Sequence, residues 1–363
     1  MAKLLKELYN KQYIDYLASN IVKNYKTFKT DSFKKAIFYK GWEDLELKQR
    51  MRHIASTLGE YLPSEYIKAI DILEKTFKDV DSKYALENML FQDFVEVYGL
   101  DEFDTSMMAL ETFTVGSSSE FAIRQFILKY PKKTMTQMQK WAKSENEHVR
   151  RLASEGCRPR LPWAIALPEF KKDPSQVIKI LDVLKDDESE YVRKSVANNL
   201  NDISKDNPEI TINLAKKWIG NSKNTDKLLK HGCRTLLKAS EVDALEIFGI
   251  KKAKHITLEA ISIQKKVEMG SELEFSFTIN SKKNLGYLRV EYQMEFLRQN
   301  NKYSKKMFKI CEGEYLQNNK TIQKRHSFKP ISTRKYYAGV HRLHLYVNGE
   351  IFKSFEFKLV TIT

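Results

Sequence analysis

The sequence predicts two domains of different class: an all-α solenoid of HEAT-like repeats, followed by an all-β sandwich. Apolar residues recur at intervals of three and four up to about residue 250. After that point, short runs are rich in β-forming residues, and several alternate apolar with polar side chains. Segments of the helical half also repeat one another. With 363 residues, the chain is long enough for two domains of ordinary size.

The first stretch, "MAKLLKELYNKQYIDYLASNIVKNY", sets charged residues against Leu, Tyr and Ile at helical spacing and predicts an amphipathic helix. It lacks the apolar core and the cleavage site of a signal peptide, so we expect it in the mature protein. Helical spacing continues in "YIKAIDILEKTF" and "QVIKILDVLKD", while "YLPSEY" and "KDNPEI" indicate turns between helices.

Two helical segments repeat closely. "SENEHVRRLASEG" at 144–156 aligns with "DESEYVRKSVANN" at 187–199, a shift of 43 residues. The second aligns more weakly with "KNTDKLLKHGCRT" at 223–235, a shift of 36. This period is typical of HEAT-type repeats, which stack helical pairs into a solenoid with a concave binding surface.

The last part of the chain predicts strands in "ITLEAISI", "ELEFSFTI", "LRVEYQMEFL" and "HRLHLYVNGEIFKSFEFKL". The Asn348-Gly349 pair between two such runs predicts a tight hairpin. Several strands with turns within about 110 residues are typical of a β-sandwich. We therefore expect a helical domain at 1–250 and a β-domain at 251–363, with the linker near 250–256.

The net charge of +15 is concentrated in the β-domain, where 22 Lys and Arg face 10 Asp and Glu. The first 250 residues have 40 basic and 37 acidic side chains. Such a basic module predicts a polyanionic partner, usually nucleic acid, although a surface that serves only solubility is the alternative.

Cys157, Cys233 and Cys311 are odd in number and widely spaced, which argues against a disulfide framework and matches no zinc pattern. No stretch approaches the roughly 20 apolar residues of a membrane span. We expect a cytoplasmic monomer that needs neither metal nor cofactor.

The repeat register brings acids onto a basic surface. Shifting by 43 residues superposes Asn198 on Glu155, and Asp202 follows one turn after Asn198. Shifting by 36 residues predicts a third helix that presents His231, Arg234 and Lys238 on the same face. On the helix predicted at 187–205, another face carries an apolar stripe of Val192, Val196, Leu200 and Ile203. Acids in a phosphate-binding groove weaken that binding, so these acids need another purpose.

Each of these side chains also has a purely structural explanation. Glu155 can pair with Arg151 or Arg158 along its helix, and Asp202 can be an ordinary exposed acid near a helix end. In "SSSE", Glu120 can complete a capping box that Ser117 begins.

Trp163 can be a core side chain rather than a stacking platform. It follows Pro162 in a proline-broken loop, and this position favours exposure.

The segments "SSSEFAIRQF", "VRRLASEGCRPRLPW" and "VRKSVANNLNDISKDNP" resemble the motif segments of the AlkC branch of bacterial DNA-alkylation repair enzymes. These are HEAT-like-repeat DNA glycosylases related to AlkD. The resemblance covers essentially the whole chain, and the β-domain is similar to the immunoglobulin-like domain of part of that branch. A tryptophan often stands in the wider AlkD-like family where this chain has Asn198, which favours the AlkC branch.

The resemblance implies a monofunctional glycosylase that removes small cationic bases from duplex DNA without full base flipping. The expected lesion is chiefly 3-methyladenine, with 3-methylcytosine and 1-methyladenine as further candidates. Carried over residue by residue, it implies a catalytic set of Glu120, Glu155, Trp163 and Asp202.

The chemistry fits these residue types. A base alkylated at a ring nitrogen already leaves readily, so negative charge near the oxocarbenium-like sugar and a group that positions water suffice. We assign the water to Asp202, and contact with the lesion or its neighbours to Glu155 and Glu120. Cation–π contact with Trp163 contributes about 0.5–2 kcal/mol.

Basic and amide side chains around this set are predicted to bind DNA, chiefly through phosphates: Arg151, Arg158, Arg160, Arg193, Lys194, Asn198, Lys230 and Arg234. The basic β-domain is expected to embrace the DNA and to help to hold a bend. The alternatives are a DNA-damage-binding protein without chemistry and a HEAT scaffold that binds a protein or peptide. Lesion-dependent base release separates both from a glycosylase.

Overall fold

The computed structural model describes residues 4–332 and 334–361. Its α-helices are α1 (Lys11–Asn24), α2 (Thr30–Ile37), α3 (Leu47–Tyr61), α4 (Tyr66–Asp79), α5 (Met89–Tyr98), α6 (Phe103–Thr114), α7 (Ile123–Lys129), α8 (Pro131–Trp141), α9 (Glu147–Glu155), α10 (Pro168–Lys172), α11 (Ser175–Leu184), α12 (Glu190–Ile203), α13 (Pro208–Trp218), α14 (Lys223–Gly232), α15 (Arg234–Lys238) and α16 (Val242–Ile247). Short 3₁₀ turns lie at Leu5–Leu8, Trp42–Asp44 and Ser82–Tyr84.

The strands follow the helices as β1 (Ile256–Ile263), β2 (Lys266–Glu268), β3 (Glu272–Ser281), β4 (Gly286–Leu297), β5 (Tyr303–Tyr315), β6 (Asn319–Ser327), β7 (Gly339–Val347) and β8 (Glu350–Val360). An all-α part therefore precedes an all-β part, and the predicted fold class is confirmed. In the described part of the chain, no helix is long and apolar enough to cross a membrane.

The chain divides into two compact units. One comprises Met1–Thr211 and Gly220–Gly232, and the other comprises Ile212–Ile219 and Cys233–Thr363. The short helices α15 and α16 thus belong to the same unit as the strands. The predicted boundary at residue 250 remains a prediction.

The repeat helices of the first unit stack in order. Helix α9 packs on α12, and α12 packs on α14, while α8 packs on α11. The predicted apolar stripe of α12 is completely buried, and it consists of Val192, Val196, Leu200 and Ile203. Buried polar side chains form hydrogen bonds between α9 and α12. The Ser154 and Ser195 hydroxyls lie 2.6 Å apart, and the Asn199 amide donates to the Ser154 carbonyl at 2.7 Å.

Two helical predictions were wrong in detail. The first helix begins only at Lys11, because Asn10 accepts a hydrogen bond from the Tyr13 N–H and caps it; residues 1–3 lie outside the described residues. The third repeat helix ends at Gly232, so His231 and Lys238 do not share one helix face. A Cβ at Gly232 would lie 2.8 Å from Leu200 Cδ2, so close packing requires a glycine where the helix stops.

The strands form two sheets with the orders β1-β3-β6 and β2-β8-β7-β4-β5. Neighbouring strands are antiparallel except β2 and β8. Asn348 and Gly349 join β7 to β8 with φ angles of 49° and 84°, which confirms the predicted hairpin. The two sheets share one core, built from side chains such as Phe277, Ile279, Val290, Met294, Leu345 and Phe357.

Strand β4 is buried on both faces, although apolar and polar residues alternate along its sequence. Its Arg289 donates to the Leu237 carbonyl at 2.9 Å and to Glu291 at 2.7 Å, and Glu291 accepts from the Ser240 hydroxyl. The turn after α15 therefore covers the face of β4 that would otherwise be exposed to solvent.

Candidate active site

A cleft of about 400 Å³ opens on the first unit, and one part of its wall is apolar. That part comes from the N-terminal helices and their connections and from the turn before α7, and it consists of Tyr9, Leu47, Met51, Leu86, Met89 and Phe121. The other part is charged and contains five of the twelve predicted site residues, namely Glu120, Arg151, Glu155, Arg158 and Trp163. Distant parts of the sequence therefore meet at this cleft.

Arg158 links two acids. Its Nη1 donates to Glu155 Oε1 at 2.6 Å, and its Nε donates to Asp202 Oδ2 at 2.9 Å. All three side chains are buried, since Arg158 is 7% exposed, Glu155 4% and Asp202 1%. The fixed fork of an arginine suits such a double contact, and a buried pair that loses one partner is strongly destabilised.

A second arginine continues this chain of charges. Arg151 Nη1 donates to Glu120 Oε2 at 2.7 Å and to Ser118 Oγ at 3.0 Å, while its Nη2 lies 3.8 Å from Glu155 Oε1. Its guanidinium lies 4.8 Å from the centre of the Tyr191 ring. The acids and bases therefore alternate along the cleft wall.

The electrostatics keep both arginines charged. Burial lowers the pKa of Arg151, but the Glu120 and Glu155 carboxylates outweigh it, and the net pKa is raised. Burial likewise lowers the pKa of Arg158, and Glu155 and Asp202 outweigh it, so that this pKa is also raised. Each buried carboxylate is thus matched by a permanent cation.

Three of the structural alternatives are decided by this geometry. Ser117 does not cap a helix with Glu120, because its hydroxyl donates to the Ala85 carbonyl at 2.6 Å and α7 begins only at Ile123. Asp202 is not an exposed acid, because it is 1% exposed. The pairing of Glu155 with Arg158 along the chain does occur.

Trp163 is not a core side chain. It is 67% exposed at the cleft, and its φ of 62° lies in the left-handed region that is unfavourable for a bulky residue. Its carbonyl accepts a hydrogen bond from Lys48 Nζ at 2.9 Å. The backbone is therefore held while the indole stays accessible.

The other predicted DNA contacts lie apart from the cleft. Arg160 forms two hydrogen bonds with Asp206, at 2.8 and 2.6 Å, on the surface. Arg193, Lys194 and Asn198 line a second groove of about 370 Å³ between α12 and α14, with Lys227 and His231. In this groove Asn198 Oδ1 lies 3.1 Å from His231 Nε2.

The remaining two predicted residues lie elsewhere. Lys230 is exposed on α14 and lines neither of these two cavities, while Arg234 begins α15 in the second unit. The Arg193 guanidinium donates to the Asp187 and Glu188 carbonyls at 2.5 and 2.9 Å, so part of its hydrogen-bonding capacity is used within the protein.

Both halves of the chain match known families. Residues 66–230 match the DNA alkylation repair enzymes, and residues 257–361 match the C-terminal Ig-like domain of YhaZ. The chain is 43% identical over 357 residues to the uncharacterized protein YhaZ of Bacillus subtilis (strain 168), a match that covers 98% of this chain and 99% of YhaZ.

A solved structure matches along the same length. It is the Pseudomonas fluorescens alkylpurine DNA glycosylase AlkC, bound to DNA that contains an abasic site analog. It is 34% identical, with a TM-score of 0.87 and coverage of 99% of both chains. The chain belongs to the AlkC-type DNA alkylation repair family. The family resemblance of the three motif segments is thereby confirmed.

Sequence reasoning missed several residues at the cleft of this AlkC-type protein. Lys48 Nζ lies 4.4 Å from the centre of the Phe121 ring, and Tyr191 covers Arg151. Lys48 is separated from Trp163 by 115 residues, so no local spacing could have connected them. Tyr191 could have been identified from the sequence, because it immediately precedes the V-R pair that the repeats share.

Among residues 4–332 and 334–361, no group of three or more His, Cys, Asp or Glu side chains is arranged to hold a metal ion.

Proposed function

We propose that this AlkC-type protein is a DNA glycosylase that hydrolyses the N-glycosidic bond of small cationic alkylated bases in duplex DNA. The substrate is chiefly 3-methyladenine, with 3-methylcytosine and 1-methyladenine as further candidates. One observation carries the proposal: an exposed indole and two arginine-paired carboxylates, Glu120 and Glu155, line the same cleft.

The reaction needs little acid catalysis. Alkylation at a ring nitrogen gives the base a positive charge, and the base becomes neutral when the C1′–N bond breaks and the bonding electrons move to it. The sugar then carries the positive charge, which a nearby carboxylate stabilises. Water adds to C1′ and its proton passes to a base, so neither metal nor cofactor is required.

Glu155 is the better candidate for the carboxylate that faces the sugar and positions water. It lines the cleft, whereas Asp202 does not and is held by Arg158 and by Lys205, whose Nζ lies 3.0 Å from Asp202 Oδ1. In this proposal Asp202 orients Arg158, and Arg158 orients Glu155. This assignment differs from the sequence-based one, which gave the water to Asp202.

Glu120 and Trp163 are assigned to the lesion itself. The indole supplies a cation–π contact that a neutral base would not gain, and this contact amounts to about 0.5–2 kcal/mol. Glu120 adds negative charge beside the cationic base, and Arg151 fixes its carboxylate. The charged residues of the cleft wall lie at helix ends and in turns. The resemblance to AlkC implies that the base stays in a bent duplex without full flipping, and side chains in such positions can contact it there.

DNA backbone contacts are assigned to cations outside this buried chain. Lys194 and Lys227 flank the groove between α12 and α14, and Lys230 is exposed on α14. Arg158 and Arg160 were expected to bind phosphates. Arg158 is instead buried between two acids and Arg160 forms two hydrogen bonds with one, so we assign both to holding the loop. The basic excess of residues 251–363 is proposed to add phosphate contacts that help to hold a bend.

The test is release of free base from a methylated duplex by the purified chain, with an unmethylated duplex of the same sequence as the control. We expect 3-methyladenine to be released from the methylated duplex alone, with no strand cleavage by the protein. A folded protein that binds the methylated duplex and releases nothing would be a damage-binding protein without chemistry. A folded protein that does not bind DNA would be a scaffold.

A further inference from the structure

Residues 156–165 form most of the connection between α9 and α10, and they contain turns but no helix or strand. This 156–165 segment carries Arg158 and Trp163, two of the residues that line the cleft. Backbone groups in irregular structure need hydrogen-bond partners when they are buried. The segment therefore requires donors from outside itself.

Arg124, near the start of α7, supplies these donors. Its Nε donates to the Ile165 carbonyl at 2.7 Å, and its Nη1 donates to the Gly156 carbonyl at 2.9 Å and the Arg158 carbonyl at 2.8 Å. One guanidinium thus holds the first and the last residue of the segment. It also holds the backbone of Arg158, whose side chain connects Glu155 with Asp202.

This arginine is unusual in its surroundings. Its side chain is completely buried, and its Nη2 has no hydrogen-bond partner among the described residues. None of the ion pairs found among the described residues includes it, and burial lowers the pKa of Arg124 to about 10. A buried cation without a carboxylate is costly, and three charge-assisted bonds to carbonyls offset that cost.

The contact between α7 and the segment is close. A Cβ at Gly156 would lie 2.6 Å from Ile123 Cγ2, so the glycine lets the segment approach the helix that carries Arg124. A lysine could not reproduce the arrangement, because its single nitrogen lacks the planar fork that reaches carbonyls at both ends.

We propose that Arg124 is a positioning residue of the active site: by holding both ends of the 156–165 segment, it fixes Arg158 and Trp163 at the geometry that base release requires. The inference rests on the proposed function. Arg124 does not line the cleft, so it acts through the segment and not on the DNA.

Trp163 provides a readout that is independent of activity. All four tryptophans lie within the described residues, and Trp42, Trp141 and Trp218 are buried, so acrylamide quenching of the fluorescence reports mainly on Trp163. A duplex that contains an abasic-site analogue should shield Trp163 in the wild-type protein.

The variant is Arg124→Lys, and Arg150→Lys is the matched control. Arg150 is also buried, but it holds the Ser144 and Glu145 carbonyls and Asp187, and it lines no part of the cleft. We expect Arg124→Lys to bind the abasic duplex nearly as well as wild type, to shield Trp163 less, and to release base about 100-fold more slowly in a single turnover. Arg150→Lys should retain both properties.

Should Arg124→Lys not fold, Gly156→Ala tests the same point, because it keeps the guanidinium and pushes the segment away from Ile123. Wild-type shielding and rate in the folded variant, or equal losses in Arg150→Lys, would overturn the inference. If the wild-type protein itself releases no base, the proposed function fails, and the shielding comparison still decides whether Arg124 positions Trp163.

Discussion

Arg158 and Asp202 form a buried ion pair across 44 residues of sequence, with Nε donating to Oδ2 at 2.9 Å. The pair ties the turn after α9 to α12, and the same guanidinium holds Glu155 at 2.6 Å. The site therefore depends on the stacking of two successive repeats.

Replacing Arg158 with Met should lower the free energy of unfolding by about 3–5 kcal/mol, because Glu155 and Asp202 would remain buried without their shared partner. Arg160→Met is the matched control, since its partner Asp206 lies at the surface and the loss should be about 0–1 kcal/mol. Urea unfolding followed by circular dichroism of the helices measures both. Similar losses of unfolding free energy in the two variants would show that the buried Arg158 contacts stabilise the fold no more than a surface ion pair does.

Replacing Trp163 with Gly should leave stability within about 1 kcal/mol of wild type, because the indole is exposed and glycine accepts a φ of 62°. Base release should slow by about 2- to 30-fold through loss of the cation–π contact. Trp163→Phe keeps an aromatic face and should lose less. A full rate in Trp163→Gly would remove the indole from lesion recognition.

Neutralising three exposed lysines of the β-domain, Lys306, Lys329 and Lys353, should flatten the salt dependence of DNA binding. Each lysine that contacts a phosphate contributes about 0.9 to the slope of log affinity against log salt. The control variant carries glutamine at Lys140, Lys143 and Lys179, which line neither the cleft nor the groove between α12 and α14. If the two triple variants have the same slope, the β-domain does not grip DNA through these lysines.

Stability of the second unit should fall as the pH is lowered from about 6.5 to about 4. Burial, with Arg334, Lys306 and Lys324 adding to it, lowers the pKa of His326 to about 4. In this window the unfolded chain takes up a proton at His326 and the folded chain does not, so acid favours unfolding by up to about 3 kcal/mol.

His326→Phe should reduce this pH dependence without abolishing it, because the pKa values of His341 and His344 are lowered as well. Thermal unfolding at a series of pH values, followed by the circular dichroism of the strands, measures the effect. An unchanged pH dependence in a folded His326→Phe protein would show that His326 is not buried in its neutral form.

The sequence allowed the fold class and much of the site to be predicted, because these rest on local patterns. Spacing of apolar residues predicts the buried stripe of α12, and Asn348-Gly349 predicts the hairpin. Strands β2, β5 and β6 were missed because β2 has only three residues and because polar and charged side chains dominate β5 and β6.

Contacts between distant segments lie beyond such patterns. The motif segments indicated Glu155, Arg158 and Trp163, but the role of Arg158 depends on which acids surround its guanidinium in three dimensions. A basic residue in a turn is usually solvated, and burial between two carboxylates reverses that expectation. Lys48 carries no local signal, and Arg124 lies in the motif segment "SSSEFAIRQF" without any sign of its partners, since each binds backbone carbonyls of a segment far along the chain.

The most direct test is the single-turnover release of 3-methyladenine by Glu155→Gln, with Asp202→Asn measured beside it. Glu147→Gln is the control, since Glu147 is an exposed acid at the start of the same helix. We expect Glu155→Gln to bind the abasic duplex normally and to release base about 100- to 1,000-fold more slowly, with a smaller loss in Asp202→Asn. A wild-type rate in a folded Glu155→Gln protein would show that Glu155 does not act on the sugar or the water.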